Sequence, residues 1–405
     1  MKILKQNENR EEYNFENIDF RTIKYIFLLL LMSFFFYSKK IINKDMIDAH
    51  ISIKISKRRA INYMNICQKD RLLNYNIFSN ISNNFPAISV VIPLYNSEKF
   101  IKQTLRSVQN QNIRNFEIIL INDNSKDCSL NIIKSLQNED KRIKILNNNK
   151  NMGTLYSRSI GTLNAKGDYI FSLDNDDMFS DEDILEKIYN IAQKQNYDIV
   201  EFKTFDIPNY INKKKKLSDN YFNHHPNNLI LHQPELNTFP ISKNDDYYMN
   251  DFHVWGKCIL SKLYKKAVNA LGEKRYSIYN CWTEDIIMIL VIFKFANSFI
   301  FINKYGIVHM ENYITTTYIL DYELKLISEI QLLEIIMDFV DDTKKLKKLA
   351  VSKALLLKAM NIIPNLNLTN RLYFKKVLIK IMNSNFSNND DRIKINAAFN
   401  ISYLV

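Results

Sequence analysis

The sequence predicts an α/β protein built on a largely parallel sheet. Two observations carry the prediction. Between residues 87 and 200, short apolar runs rich in β-branched residues alternate with amphipathic stretches, the pattern of strand–helix–strand units. Several of those runs stop at Pro, Asn or Asp, residues that take a chain out of a strand.

The elements follow in order. Residues 88–92 (ISVVI) read as a strand by their β-branched content, and Pro93 is expected to end it. Asn96 or Ser97 can cap the next helix, whose apolar face is Phe100, Ile101, Leu105 and Val108. Residues 116–121 form a second strand ending in Asn122-Asp123-Asn124-Ser125, and 143–146 a short third. Residues 169–173 form a fourth, running into Asp174-Asn175-Asp176-Asp177, and 197–202 a fifth. Ligands of open parallel sheets bind beyond the carboxyl ends of the strands. That rule gathers Pro93, Tyr95, Asn96, Asp123 and the acids from Asp174 onward around one crevice.

Composition narrows the function classes. The chain has 405 residues and is 46% hydrophobic, enough for a sizeable core and too apolar for a disordered protein. Four scattered cysteines (Cys67, Cys128, Cys258, Cys281) include no C-x-x-C pair, which excludes a disulfide framework and a Cys-rich zinc module. The net charge of +12 invites a nucleic-acid partner. Lys, Ile and Asn are all abundant together, however, which is a compositional bias, so no nucleic-acid partner is expected.

The two ends read differently from the middle. Residues 25–37 (YIFLLLLMSFFFY) are uncharged, and widening the run to 23–42 with snorkelling lysines makes a single-pass anchor, a cleaved signal peptide or a buried helix being the competing readings. The expected order is a tail (1–24), an anchor (25–42), a polar stem (43–84), a catalytic domain (85–318) and a helical C-terminal region (319–405). An anchor implies membrane attachment through the N-terminal helix, of the Golgi or ER type. In the last region Leu324, Ile327, Ile330 and Leu333 recur at helical spacing, as do residues 349–360 and 372–381. Packing is the expected role of these helices.

Chemistry is concentrated in the middle. Asp174-x-Asp176 after a strand offers hard oxygen ligands on one side of a divalent cation, leaving positions open for substrate phosphates. A lone D-x-D is weak in an Asn- and Asp-rich chain, where a solvated turn is the default. Its place after a buried strand, with Asp123 at the end of another, strengthens it. No G-x-x-x-x-G-K-[ST] and no G-x-G-x-x-G occurs, so phosphate-loop and dinucleotide-binding readings lose their support.

Together, Val90-Val91-Ile92-Pro93-Leu94-Tyr95-Asn96, Ile121-Asn122-Asp123-Asn124-Ser125, Asn151-Met152-Gly153, Ser157-Arg158, Gly167-Asp168 and Leu173-Asp174-Asn175-Asp176-Asp177 resemble the family 2 glycosyltransferases of the GT-A fold. The resemblance implies a nucleotide-sugar-binding GT-A sheet, mostly parallel and mixed, and inverting sugar transfer with Mn²⁺ or Mg²⁺. It implies that Pro93, Tyr95, Asn96 and Asp123 hold the nucleobase, with Arg158 near the base or diphosphate. Asp174 would face the ribose and Asp176 the metal. The donor would be UDP- or GDP-linked; the acceptor would be a glycan, lipid or protein. Two departures from the commonest family pattern, Asn122-Asp123-Asn124 for Asp-Asp-Gly and Ser159 for Asn, remove no ligand.

Inverting transfer also needs a base for the acceptor hydroxyl. Trp282-Thr283-Glu284-Asp285, ahead of an apolar run, resembles the family's E-D signature. The resemblance makes Asp285 the base and Glu284 a supporting contact; a pair of acids capping a helix is the competing reading. Residues 286–301 are read as a buried helix plus strand, not a second membrane span, because Lys294 interrupts them. His224, His225 and His232 show no zinc spacing and read as solvated loop. His309 is placed either near the metal or diphosphate or as a core or acceptor-side residue, and Trp255 either in the acceptor wall or in the core. The alternative function is a nucleotide-sugar-binding scaffold without turnover.

Overall fold

The computed structural model describes residues 45–70, 86–207, 218–219, 229–233, 236, 253–280, 282–310, 322–339 and 368–382. Among these residues ten strands make one mixed sheet. They are β1 (Ile88–Leu94), β2 (Phe116–Asn122), β3 (Ile143–Asn147), β4 (Tyr169–Ser172), β5 (Met178–Phe179), β6 (Ile199–Ile207), β7 (Ser218–Asp219), β8 (Ile230–His232), β9 (Lys257–Leu260) and β10 (Ser298–Met310). Their order is β3-β2-β1-β4-β9-β6-β10-β5, with β7 on β6 and β8 on β10. The first four are parallel, and β9 runs antiparallel between β4 and β6. The expected five strands are all present, and residues 286–301 do split into a helix, Glu284–Phe295, and the start of β10.

Side-chain alternation sorts the strands into two cores. Val91, Ile119, Ile121, Ile170 and Ile259 face helices Thr154–Asn164, Ser261–Leu271 and Glu284–Phe295. Val90, Ile92, Ile118, Leu120 and Phe171 face helices Ile101–Gln109, Ser129–Glu139 and Ile184–Gln195. Helix Glu284–Phe295 is apolar all round because it is covered on both sides, by Ser261–Leu271 and by Tyr322–Phe339. Each of its fully buried Ile, Val and Met side chains contributes about 1.5–3 kcal/mol by leaving water.

Several expectations are corrected here. The single-pass membrane placement is withdrawn: among the described residues no helix is long and apolar enough to cross a membrane, and residues 25–42 lie outside them. The polar stretch read as a stem contains a helix, Asp45–Gln68, packed on the body. Its contact face is Ala60, Tyr63, Met64 and Cys67, one helical stripe, and the Tyr63 hydroxyl donates to the Ser107 carbonyl at 2.8 Å. Pro93 lies inside β1 rather than after it. Its carbonyl faces the β4 side, beyond the end of β4, so the N–H that proline lacks has no strand to pair with. Neither Asn96 nor Ser97 caps helix Ile101–Gln109 with its side chain. The Ser97 carbonyl accepts the Phe100 and Ile101 N–H groups, and Asn96 Oδ1 accepts the Lys126 N–H. Helix Leu368–Met382 covers the expected 372–381, whereas 349–360, His224 and His225 lie outside the described residues.

Candidate active site

The parallel register aligns the strand ends. Leu94 lies opposite Asn122 and Val91 opposite Ser172, so the segments after β1, β2 and β4 emerge on one rim. Pro93 is pinned there by Asn175, whose Nδ2 donates to its carbonyl at 3.2 Å. Tyr95, just past the end of β1, is 43% exposed. Asn96 takes a left-handed φ of 49° and its N–H donates to Ser125 Oγ.

Asp123 is buried but well supplied with donors. Its Oδ1 accepts from Asn148 Nδ2 (2.7 Å) and the Met152 N–H (2.8 Å), and its Oδ2 from the Gly153 N–H (2.8 Å). The next residue, Asn124, has φ 61°. The family commonly has glycine there, and asparagine is the side chain that best tolerates the left-handed region, so the turn survives the replacement. Gly153 has φ 87°, and a Cβ on it would meet the Asn280 carbonyl at 2.9 Å, so glycine is required twice over.

Arg158, from helix Thr154–Asn164, joins two acids from different parts of the chain. One guanidinium nitrogen donates to Asp174 Oδ1 at 2.8 Å and another to Asp285 Oδ1 at 2.6 Å. Its side chain is 1% exposed, against 31% for Asp174 and 25% for Asp285. The guanidinium is thus engaged by two carboxylates of the crevice. Asp285 stands at the start of helix Glu284–Phe295, where the first-turn N–H groups favour an anion. Burial raises its pKa, and Arg158 opposes that rise. Glu284 beside it is pushed up to about 8 by burial and by the Asp285 charge, so it holds its proton at neutral pH.

Asp176 is half-buried on the rim and Asp177 fully buried. Asp177 Oδ1 accepts the Met310 N–H at 3.1 Å, and its Oδ2 is without a hydrogen bond among the described residues. Burial lifts its pKa well above the carboxylate range, His309 opposing. His309 accordingly holds a proton to about pH 10: burial works against the imidazolium, but Asp177 and Asp206 outweigh it. Its Nδ1 meets Asp206 Oδ1 at 3.1 Å. Its ring stacks on Trp255 (5.1 Å, 7°), which stacks in turn on His253 (4.0 Å, 29°). Trp255 is 7% exposed and serves as the packed back of this wall. Behind it a buried ion pair joins Lys257 Nζ to Glu201 at 3.2 Å.

Among the described residues no three His, Cys, Asp or Glu side chains are gathered closely enough to hold a metal by themselves. Asp174 and Asp176 are hard oxygen donors on an open rim, which fits a cation completed by substrate phosphates and water. Sequence reasoning missed Asp206, Glu201, Asn280 and Gln331. None lies in a motif, and only Asn280, three residues ahead of Thr283, had a local signal as a turn residue before a helix.

In fold this is a GT-A-like mixed sheet with acids on its strand-end rim. The comparisons agree. The family model "Glycosyl transferase family 2" matches residues 89–260. An uncharacterized glycosyltransferase of Haemophilus influenzae is 43% identical over 107 residues, 26% of this chain and 42% of that protein. A second from the same organism is 27% identical over 328 residues, 74% of this chain and 93% of that one. The cholesterol galactosyltransferase of Borreliella burgdorferi is 31% identical over 54% of this chain and 58% of its own length. In fold, the chain resembles S. aureus TarS 1–349 in complex with UDP, with a TM-score of 0.52 and 16% identity over 78% of this chain and 87% of that one. The same TarS fragment in complex with UDP-GlcNAc gives a TM-score of 0.52 at 15% identity. Residues 89–260 thus match the family 2 glycosyltransferase model, the relatives are named glycosyltransferases, and the chain spans less than half of the first of them and 58% of the Borreliella protein.

Proposed function

We propose that this protein is an inverting, metal-assisted glycosyltransferase, moving a sugar from a nucleoside-diphosphate sugar to an acceptor hydroxyl. The observation that carries the reading is the Asp174–Arg158–Asp285 bridge, which joins the donor-side and acceptor-side acids in one crevice. A uridine nucleotide is the first to test, because the similar TarS structures hold UDP and UDP-GlcNAc.

Each residue then has a task. An ionised carboxylate offers about four lone-pair sites. Asp123 has three engaged and keeps one to accept a ring N–H of the base, with Tyr95 free to stack on it. Pro93 and Asn96 shape the floor of that pocket. Asp174, with one oxygen on Arg158, would offer the other to the ribose and metal, and Asp176 would be the main metal ligand. Mn²⁺ or Mg²⁺ bound there would neutralise charge on the departing diphosphate. Asp285 takes the acceptor proton as the acceptor oxygen bonds to the sugar carbon. The bond to the diphosphate breaks on the opposite face, its electron pair leaving with the diphosphate. That single displacement inverts the centre without a covalent intermediate. Glu284, protonated, can donate a hydrogen bond to the acceptor, and Arg158 opposes the effect of burial on Asp285.

The test is UDP or GDP release from UDP-GlcNAc, UDP-glucose, UDP-galactose and GDP-mannose, with Mn²⁺, with Mg²⁺ and with chelator. Metal-dependent release from at least one donor is expected. Folded protein that releases nothing under any condition overturns the reading, and release unaffected by chelator overturns its metal.

A further inference from the structure

Next to the acceptor-side acids lies a buried amide hub with no task in the chemistry above. Asn280 is fully buried, and each polar atom of its side chain is engaged. Its Oδ1 accepts the Trp282 N–H (3.1 Å) and the Thr283 N–H (3.0 Å), closing the start of helix Glu284–Phe295. Its Nδ2 donates to Thr283 Oγ1 (3.0 Å) and to Gln331 Oε1 (2.7 Å). Its backbone carbonyl accepts the Leu155 N–H at 3.1 Å, directly against Gly153, whose own N–H is given to Asp123. One residue therefore touches both the turn that orients Asp123 and the helix start that bears Glu284 and Asp285.

Gln331 comes from helix Tyr322–Phe339, 51 residues further on, and is fully buried among Ile330, Leu332 and Leu333. An amide in that apolar setting is tolerated only when both ends are bonded. Its Nε2 donates to the Arg275 carbonyl at 2.7 Å, so its Oε1 must face Asn280, and the orientation of each amide fixes the other. The same helix holds the loop twice more. Thr283 Oγ1 donates to the Ser328 carbonyl (2.9 Å), and Trp282 Nε1 to Glu329 Oε1 (3.2 Å).

We propose that Gln331 is a positioning residue for sugar transfer. Through Asn280 it sets where Asp285 stands relative to the donor turn at residues 153–155. This rests on the reading of Asp285 as the base. A helix that merely packs against the domain would need no polar clamp on the residues just ahead of the acids. The assignment also gives the C-terminal region a catalytic duty beyond packing.

The test uses the full chain, with UDP as the binding probe and UDP-GlcNAc as the turnover probe. Gln331→Leu is expected to leave UDP affinity within about twofold, since Asp123 keeps its own donors. The value of kcat should fall by about 10- to 100-fold, the scale that a displacement of about 1 Å imposes. Gln331→Glu, whose protonated carboxyl keeps an acceptor for Asn280 and a donor for the Arg275 carbonyl, should restore most of it. Asn280→Asp keeps the cap on Thr283 while losing the bond to Gln331, and should resemble Gln331→Leu if that variant does not fold. Wild-type kcat with only a lowered melting point overturns the proposal, as does loss of UDP affinity in step with kcat. Asp285→Asn in the same assay separates the two readings. Full turnover there removes the base assignment, whereas an inactive Asp285→Asn beside a normal Gln331→Leu removes only the positioning role.

Discussion

The donor side and the acceptor side of the crevice hold their carboxylates by opposite means. Asp123 is fixed by Asn148, Met152 and Gly153, all within 30 residues and two of them through backbone N–H groups. Asp285 is fixed by Arg158, 127 residues earlier, and its helix start by Gln331, 51 residues after Asn280. The difference teaches where each half is vulnerable. A carboxylate held by main-chain donors changes only if the turn changes, whereas one held by distant side chains depends on each of them separately.

The largest effect is expected at Asp285. Asp285→Asn should lower kcat by about 10²–10⁴-fold, the usual contribution of positioned proton transfer, with UDP affinity near normal. If the residue only caps its helix, calorimetry and kinetics will instead show a stability loss of about 0.5–2 kcal/mol and unchanged kcat.

Arg158 is the next test of the long-range half. Arg158→Met leaves Asp174 and Asp285 facing each other without a counterion, and removing one partner of a buried ion cluster costs about 3–5 kcal/mol. Urea unfolding should show that loss, because the surviving acids cannot reach water fully. A variant as stable as the parent would mean the bridge is not a buried cluster in solution.

A pH series probes Glu284. Its carboxyl is held at about 8 in the folded protein, mainly by burial and then by Asp285, against an ordinary value of 4.5. Between those values the folded chain binds the extra proton, so stability contributed by the neutral acid falls as pH rises. Glu284→Gln should therefore raise the melting point at pH 9 while leaving it nearly unchanged at pH 4.5. His309, raised to about 10, adds to the parent's decline above pH 6.5, so the variant's curve should be shallower, not flat. Identical curves for parent and variant would remove the assignment of a raised Glu284.

The smallest effect belongs to the locally held half. Asn124→Ala should cost about 1 kcal/mol, since alanine pays for a φ of 61° that asparagine tolerates. Asn124→Gly should lie within about 0.5 kcal/mol of the parent, because glycine adopts that conformation freely. A costless alanine would show that the turn after Asp123 is not held left-handed.

Sequence alone determined the strand order along the chain, the rim on which Pro93, Asp123 and Asp174 meet, and the helix that begins at Glu284. Those features depend on neighbours a few residues away: β-branched runs, strand-ending turn residues and acids at a helix start. It also misread what depends on covering layers. Helix Asp45–Gln68 passed as a stem because its one apolar stripe, Ala60, Tyr63, Met64 and Cys67, is narrow in an otherwise polar run. The tertiary structure decided that Arg158 bridges two acids of the crevice, that His309 stacks on Trp255 beside Asp206, and that Gln331 reaches Asn280. Apart from Asp174, 16 residues after Arg158, those partners lie 51 residues or more away, and the packing of helices onto the two sheet faces brings them together. Burial then did the rest, by making every such pairing obligatory for groups that had left water.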